Sequence, residues 1–327
     1  MTQTPAAARP RVLYLARGTA QIYETVRSHA PAGIELLTLE TDERDEVLAK
    51  IAQCEVAIVA TRKLDRGMIE AAPRLRLVVH QGVGYHDTTD VPALRERGIP
   101  VAITPNGTPQ TVSEHAVMLM LAACRLLPFA DAELRLGRFH VNALRLQSQT
   151  LAGKTVGLIG MGRIGQATAR RLLGWEIQGL YADPVALPDD EARQLGLQRV
   201  ALPELLERAD IVSLHVPLTD ETRAMIDAPA LQRMKRGAVL VNTSRGPVVH
   251  EAALVEALRS GQLGAAGLDV YEEEPVRAGH PLVEFRNVVL TPHIAAATRD
   301  TFTAKMQGVF ANIRRFQAGE PLHDQAL

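Results

Sequence analysis

The sequence predicts an α/β protein of two doubly wound parallel-sheet domains, on three observations. Short apolar runs with strand character alternate with helical patterns along the chain, as parallel β-α-β units require. A strand, a three-glycine turn and a helix start meet near residue 160, in the middle of the chain. The 327 residues suffice for two cores, so those ahead of the junction need a domain of their own.

In chain order, strand-like runs fall at 12–15, 35–37, 56–60, 77–80 and 101–103, with helical patterns at 20–28, 44–53 and 91–97. The stretch Thr104-Pro105-Asn106-Gly107-Thr108-Pro109 breaks the alternation and is expected as a hinge loop. A long helical pattern over 111–127 and an irregular arm over 138–153 come next. The second unit starts at Lys154, with strands expected at 155–160, 177–182, 211–215, 238–242, 264–268 and 288–290. Helical patterns at 203–208 and 251–260 connect the later ones. The last helical pattern, 298–318, sets Phe302, Met306, Val309, Phe310 and Ile313 near one face. It is expected to return to the first domain. The expected domains are therefore 1–104 with 298–327, and 105–297.

Composition narrows the function. Hydrophobic residues make up 46% and charged residues 22%, and Lys+Arg 36 nearly balances Asp+Glu 37. A net charge of −1 lacks the basic footprint of a nucleic-acid binder. The densest basic cluster, Arg233, Lys235 and Arg236, reads as a solvated helix end. Cys54 and Cys124 lie in separate apolar segments without C-x-x-C or histidine pairing, so no metal site is expected and buried reduced thiols are. The first ten residues hold no apolar signal core, and the apolar run 116–123 is too short to cross a membrane. A cytoplasmic protein is expected.

The glycine turn carries the first chemical signal. Gly160-Met161-Gly162-Arg163-Ile164-Gly165 follows an apolar strand and opens a helix, the context in which G-x-G-x-x-G has physical meaning. Gly160 suits a tight turn, Gly162 a close approach of pyrophosphate, and Gly165 close packing of helix on strand. The helix N-terminus offers N–H groups to phosphate. Asp183 ends the next strand, placed to accept from a ribose 2′-hydroxyl and to repel a 2′-phosphate. The following residues, Pro184-Val185-Ala186, offer no arginine to hold one. A Rossmann domain binding NAD rather than NADP is the reading.

Three polar residues lie beyond predicted strand ends, where doubly wound folds place ligands. Each alone has a bland reading: Arg245 as a loop charge, Glu274 as part of the acidic run 272–274, His293 as a turn histidine. Together they make a chemical set. A guanidinium grips a carboxylate by two points. An imidazole gives a proton to a carbonyl oxygen or takes it from a hydroxyl. A carboxylate behind that imidazole fixes its tautomer. Beside a nicotinamide, the set describes hydride transfer between NAD and a 2-hydroxy or 2-oxo acid.

The chain resembles the D-isomer-specific 2-hydroxyacid dehydrogenases from about residue 73 to about residue 299. The motifs carrying the resemblance are Gln81-Gly82-Val83-Gly84-Tyr85, Val112-Ser113-Glu114-His115-Ala116, the 157–165 turn, His215-Val216-Pro217-Leu218, the 242–247 run Asn-Thr-Ser-Arg-Gly-Pro, Gly267-Leu268-Asp269-Val270 and Thr291-Pro292-His293-Ile294. The resemblance implies a flavodoxin-like substrate domain beside the Rossmann domain, with the active-site cleft between them. It makes Arg245, Glu274 and His293 the catalytic set, Glu274 being the acid directly before the proline. It implies cofactor contacts at Arg163, Ile164, Asp183, Val216, Pro217 and Thr243, with Asp269 on the nicotinamide carboxamide. Val83 and Gly84 are implied to share the substrate carboxylate with Arg245 through backbone N–H groups. A homodimer joined through the cofactor domains is implied too, the arm between 111 and 150 reaching across.

Two departures bear on the substrate. The family's Asp-Asn-x-Asp after Gly84-Tyr85 is replaced by the longer His86-Asp87-Thr88-Thr89-Asp90. The arm from Arg138 to Arg145 lacks the family's tryptophans, and His140 and Arg145 read as surface residues ahead of pocket residues for a partner. The alternatives are an NAD-sensing binding protein of the corepressor type and a phosphite- or formate-type dehydrogenase. The phosphite enzymes place a lysine where Val83 stands, and the formate enzymes a glutamine in place of the glutamate.

Overall fold

The computed structural model describes residues 9–60 and 62–327. The chain divides into two compact units, one holding the residues up to Thr108 with Arg299–Leu327, the other Pro109–Thr298.

In the first unit, β1 (Arg11–Leu15), β2 (Glu35–Leu37), β3 (Val56–Val59), β4 (Leu77–His80) and β5 (Val101–Ile103) form a parallel sheet in the order β2-β1-β3-β4-β5. This is the flavodoxin-like order. Both faces are covered, so the strands read as continuous apolar runs. Val12, Tyr14, Ile58 and Val79 point to one face, and Leu13, Leu15, Val59 and Val78 to the other. The helix Arg299–Ala318 lays Met306, Val309, Phe310 and Ile313 on the first of these faces. Burying each such side chain contributes about 1.5–3 kcal/mol, which holds a helix from the far end of the chain in this unit. Side-chain oxygens of Thr19, Asp65 and Asp90 cap helices that follow strand loops.

In the second unit, β6 (Thr155–Ile159), β7 (Gln178–Ala182), β8 (Leu197–Arg199), β9 (Ile211–Leu214), β10 (Ala238–Asn242), β11 (Leu263–Leu268) and β12 (Val288–Leu290) run parallel in the order β12-β11-β10-β9-β6-β7-β8. The order is that of a Rossmann sheet with one strand added, and the direction of winding reverses between β6 and β9. The two parallel-sheet α/β architectures expected from the strand–helix alternation are both present.

Local differences have local causes. The pattern over 111–127 is two helices, Thr108–Cys124 and Leu127–Arg135. Leu126 between them takes a left-handed φ of 51°, and Pro128 sits in the first turn of the second helix. Proline is tolerated there and not in a helix interior. The arm expected to be irregular contains a short helix, Val141–Arg145. β8 and the helix Asp189–Gln194 escape the sequence reading because neither carries a buried apolar stripe. Cys54 and Cys124 are free, and burial pushes their thiols up to about 12 and about 11. Among the described residues no helix is long and apolar enough to cross a membrane.

Candidate active site

Three adjacent strands, β10, β11 and β12, each end in a loop carrying one of the polar residues singled out above. Asn242 closes β10 and folds the chain back on itself. Its Oδ1 accepts from Ser244 N (2.9 Å) and Ser244 Oγ (2.8 Å), and its Nδ2 donates to the Arg245 carbonyl (2.9 Å). Arg245 emerges from this side-chain-closed turn. A Cβ at Gly246 would overlap the Tyr271 carbonyl, so glycine lets this loop lie against the one that carries Glu274.

Glu274 and His293 form a pair. Glu274 Oε1 accepts from Tyr271 N (3.0 Å), and Oε2 lies 2.8 Å from His293 Nδ1. Burial works to raise the Glu274 carboxyl. The hydrogen bonds from His293 and Tyr271 N, with the charges of His293 and Arg245, nonetheless hold it below the ordinary glutamate value. An ionised carboxylate only accepts, so Nδ1 carries the proton and Nε2 is left for chemistry. The pair borders a cavity of about 520 Å³ lined largely by apolar side chains, Val276, Leu290 and Pro292 among them.

The backbone at His293 is turned to make this possible. Its φ is 54°, a left-handed conformation uncommon outside glycine. His293 N donates to Asp269 O (2.8 Å) and to Thr291 O (3.1 Å). Asp269 Oδ1 accepts from Ile294 N (2.9 Å) and Oδ2 from Ala295 N (2.8 Å). Asp269 is fully buried. Burial works to raise its carboxyl, and the donors around it, His115, Thr291 and the two amides, keep it below the ordinary aspartate value.

The glycine turn fits a dinucleotide. Gly160 has φ 95°, and a Cβ there would lie 2.8 Å from the His215 carbonyl, so the turn closes directly on the loop after β9. Val216 lies against the same glycine. Nothing stands within 4 Å of a Cβ position on Gly162, which leaves space for a phosphate over that backbone. A Cβ on Gly165 would overlap the Gly160 carbonyl. The helix Arg163–Leu172 starts without a side-chain cap, and its first N–H groups face the turn. Thr243 Oγ1 is buried without a hydrogen-bond partner, as an atom awaiting a ligand would be. Asp183 Oδ2 accepts from Met161 N (2.7 Å), setting the carboxylate beside the turn.

Other expected residues are placed individually. Val83 and Gly84 follow β4 in the first unit, where Thr88 Oγ1 donates to the Gly84 carbonyl (3.1 Å). His86 lies on the Tyr85 ring at 4.0 Å in the lengthened loop. Pro217 continues the loop after β9, its carbonyl accepting from Thr222 Oγ1. His140 pairs with Glu133 (2.7 Å) and stacks on Phe129, while Arg145 is exposed. His215, the other histidine near the turn, is partly buried, and desolvation pushes it down to about 4. It therefore stays neutral.

Two residues near the site have no role in the sequence reading. Arg199, from β8, donates from Nη2 to the carbonyls of Asp183 (2.9 Å) and Pro184 (3.0 Å). The residues next to Asp183 in sequence hold no arginine, yet the neighbouring strand delivers one. His115 meets Thr291 and Asp269 from the helix Thr108–Cys124. Its only sequence signal is its place in the Val112–Ala116 motif.

The profile of the D-isomer specific 2-hydroxyacid dehydrogenase NAD-binding domain matches residues 117–295, and the chain belongs to that family. A glyoxylate reductase of Korarchaeum cryptofilum is 42% identical over 277 residues, covering 84% of this chain and 83% of that one. Among solved structures, the TT0316 protein of Thermus thermophilus superposes with a TM-score of 0.86 at 34% identity, covering 97% of this chain and 100% of that one. A glyoxylate reductase of Paecilomyes thermophila gives 0.85 at 30%, covering 98% and 99%. The chain is thus an NAD-dependent 2-hydroxyacid oxidoreductase, interconverting 2-oxo and 2-hydroxy acids. Its cofactor is NAD(H).

Proposed function

We propose that His293 is the acid/base of the reaction and that Glu274 orients it. The observation that carries this is the 2.8 Å contact between His293 Nδ1 and Glu274 Oε2. With Nδ1 engaged, Nε2 donates to the carbonyl oxygen of a 2-oxo acid in reduction and takes the hydroxyl proton in oxidation. Arg245 binds the substrate carboxylate by its planar fork, and the backbone N–H groups of Val83 and Gly84 share that carboxylate. Gly160, Gly162, Arg163, Ile164 and Gly165 hold the pyrophosphate of NAD(H), Asp183 its adenosine ribose, and Val216 and Pro217 its adenine side. Thr243 and Asp269 border the nicotinamide. When bound, the cofactor supplies or accepts the hydride at C2 of the substrate.

The substrate is a small 2-oxo acid of the glyoxylate class, supported by the relatives named glyoxylate reductase, and a 2-oxo acid whose product is chiral gives the D-2-hydroxy acid, supported by the family. NADH consumption over glyoxylate, hydroxypyruvate, pyruvate, phenylpyruvate and branched 2-oxo acids tests it, with chiral separation of the lactate formed from pyruvate. Failure to reduce any of them would remove the reading. The working form is a homodimer. Leu127, Leu134, Leu136, Phe139, Val141 and Leu146 are exposed within one stretch of chain, a concentration that supports this reading. Sedimentation equilibrium at monomer mass would oppose it. The two buried free thiols support a reducing, cytoplasmic compartment.

A further inference from the structure

We infer that His115 is a positioning residue, holding the His293 turn in its reactive conformation through Thr291 and Asp269. This rests on the reading of His293 as the acid/base.

The direction of each hydrogen bond follows from the donors available. Thr291 Oγ1 lies 2.6 Å from Asp269 Oδ1 and 2.9 Å from His115 Nε2. A hydroxyl has one proton to give. The ionised, fully buried Asp269 only accepts, so Thr291 donates to it. His115 Nε2 must then be the protonated nitrogen, donating to Thr291 Oγ1, with Asp269 Oδ1 also within 3.5 Å. The chain of donation runs from His115 to Thr291 to Asp269. Asp269 in turn receives the amides of Ile294 and Ala295, and its carbonyl receives the amide of His293. The left-handed residue is thus pinned by one aspartate, its own amide by the Asp269 carbonyl and the two amides that follow by the Asp269 carboxylate. Such a conformation persists only where its surroundings over-determine it.

The fold brings His115 there by a close approach of helix to sheet. Leu119 stands one helical turn after His115, on the same face of the helix. A Cβ on Gly267 would lie 2.8 Å from Leu119 Cβ, so only glycine admits the helix at this depth. Gly267 and Asp269 are two residues apart at the end of β11, which points both to one side of the sheet. The contact that seats Leu119 on Gly267 therefore presents His115 to Asp269. His115 itself is largely buried, and its contacts with Thr291 and Asp269 lie outside the proposed proton transfer.

The experiment compares His115→Phe and His115→Gln with the unmodified protein. It measures steady-state reduction of glyoxylate and hydrogen exchange at the Ile294 and Ala295 amides. Phenylalanine removes the donor, and glutamine keeps an N–H within reach of Thr291. The expected result for His115→Phe is a loss of about ten- to a hundredfold in kcat, as misplacement of a reacting group produces. KM for the 2-oxo acid stays near its original value, and exchange at residues 294 and 295 is faster. His115→Gln restores both kcat and protection. A folded His115→Phe protein with unchanged kcat and unchanged protection would overturn the inference, as would a glutamine variant no better than phenylalanine. Should His115→Phe not fold, Thr291→Val interrupts the same chain one step later and is held to the same outcomes. If the unmodified protein reduces no 2-oxo acid, the reading of His293 falls, and amide protection alone then decides the role of His115.

Discussion

The His293 imidazole and the Glu274 carboxylate meet at 2.8 Å although they leave different strands, β12 and β11. The contact fixes which nitrogen faces the protein and which is available to a substrate.

Replacing His293 by alanine removes the proton donor and leaves the glycine turn untouched. The expected loss in kcat for glyoxylate reduction is about a hundredfold or more, with NADH binding, followed by fluorescence titration, unchanged. Near-normal turnover would take His293 out of the reaction.

Glu274→Gln keeps the shape of the partner and removes its charge. A carboxylate favours the protonated imidazole and an amide does not. Reduction needs the protonated form, so its pH optimum moves to more acidic values, while the oxidative direction is favoured at lower pH than before. An unchanged pH–rate profile would assign the partner role elsewhere in the acidic run.

Asp183→Ala should raise the use of NADPH relative to NADH. Asp183 no longer repels a 2′-phosphate, and Arg199 already lies against the Asp183 carbonyl at 2.9 Å, placed to attract one. The ratio of kcat/KM for the two cofactors measures the change. Adding Arg199→Ala to the same protein should cancel part of the gain. Equal cofactor use by the unmodified enzyme would contradict this role for Asp183.

Asp269→Asn turns an amide N–H toward donors in a fully buried position. Leaving such groups unpaired costs about 3 kcal/mol, read as a lower urea midpoint at pH 7. The Asp269 carboxyl is held below its ordinary value in the folded chain. Its contribution is therefore complete above that ordinary value and is lost as the pH falls through the lowered folded value. The gap between the two proteins should narrow below about pH 4. A gap independent of pH would show that the charge is not what stabilises the turn.

Much of the fold is legible because buried parallel strands are written as uninterrupted apolar runs. The runs at 77–80, 101–103, 238–242 and 288–290 coincide with β4, β5, β10 and β12. β8, with only Leu197 partly buried, carries no such mark. The break at Leu126 is hidden because apolar periodicity continues across it, and a left-handed residue ahead of Pro128 leaves no trace in that pattern.

The candidate site divides in the same way. Gly160, Gly162 and Gly165 announce themselves because all three fall within six residues between a strand and a helix, and such spacing is spelled in adjacent residues. Arg199 beside Asp183, and His115 beside Thr291 and Asp269, are contacts between segments 16, 176 and 154 residues apart. No spacing rule records them. The chain's own order of residues determined the two α/β units, the glycine turn and which side chains are chemically fit for proton transfer. Tertiary structure decided which nitrogen of His293 faces Glu274 and what holds its backbone left-handed, because both depend on groups that only the packing of helix and strands brings together.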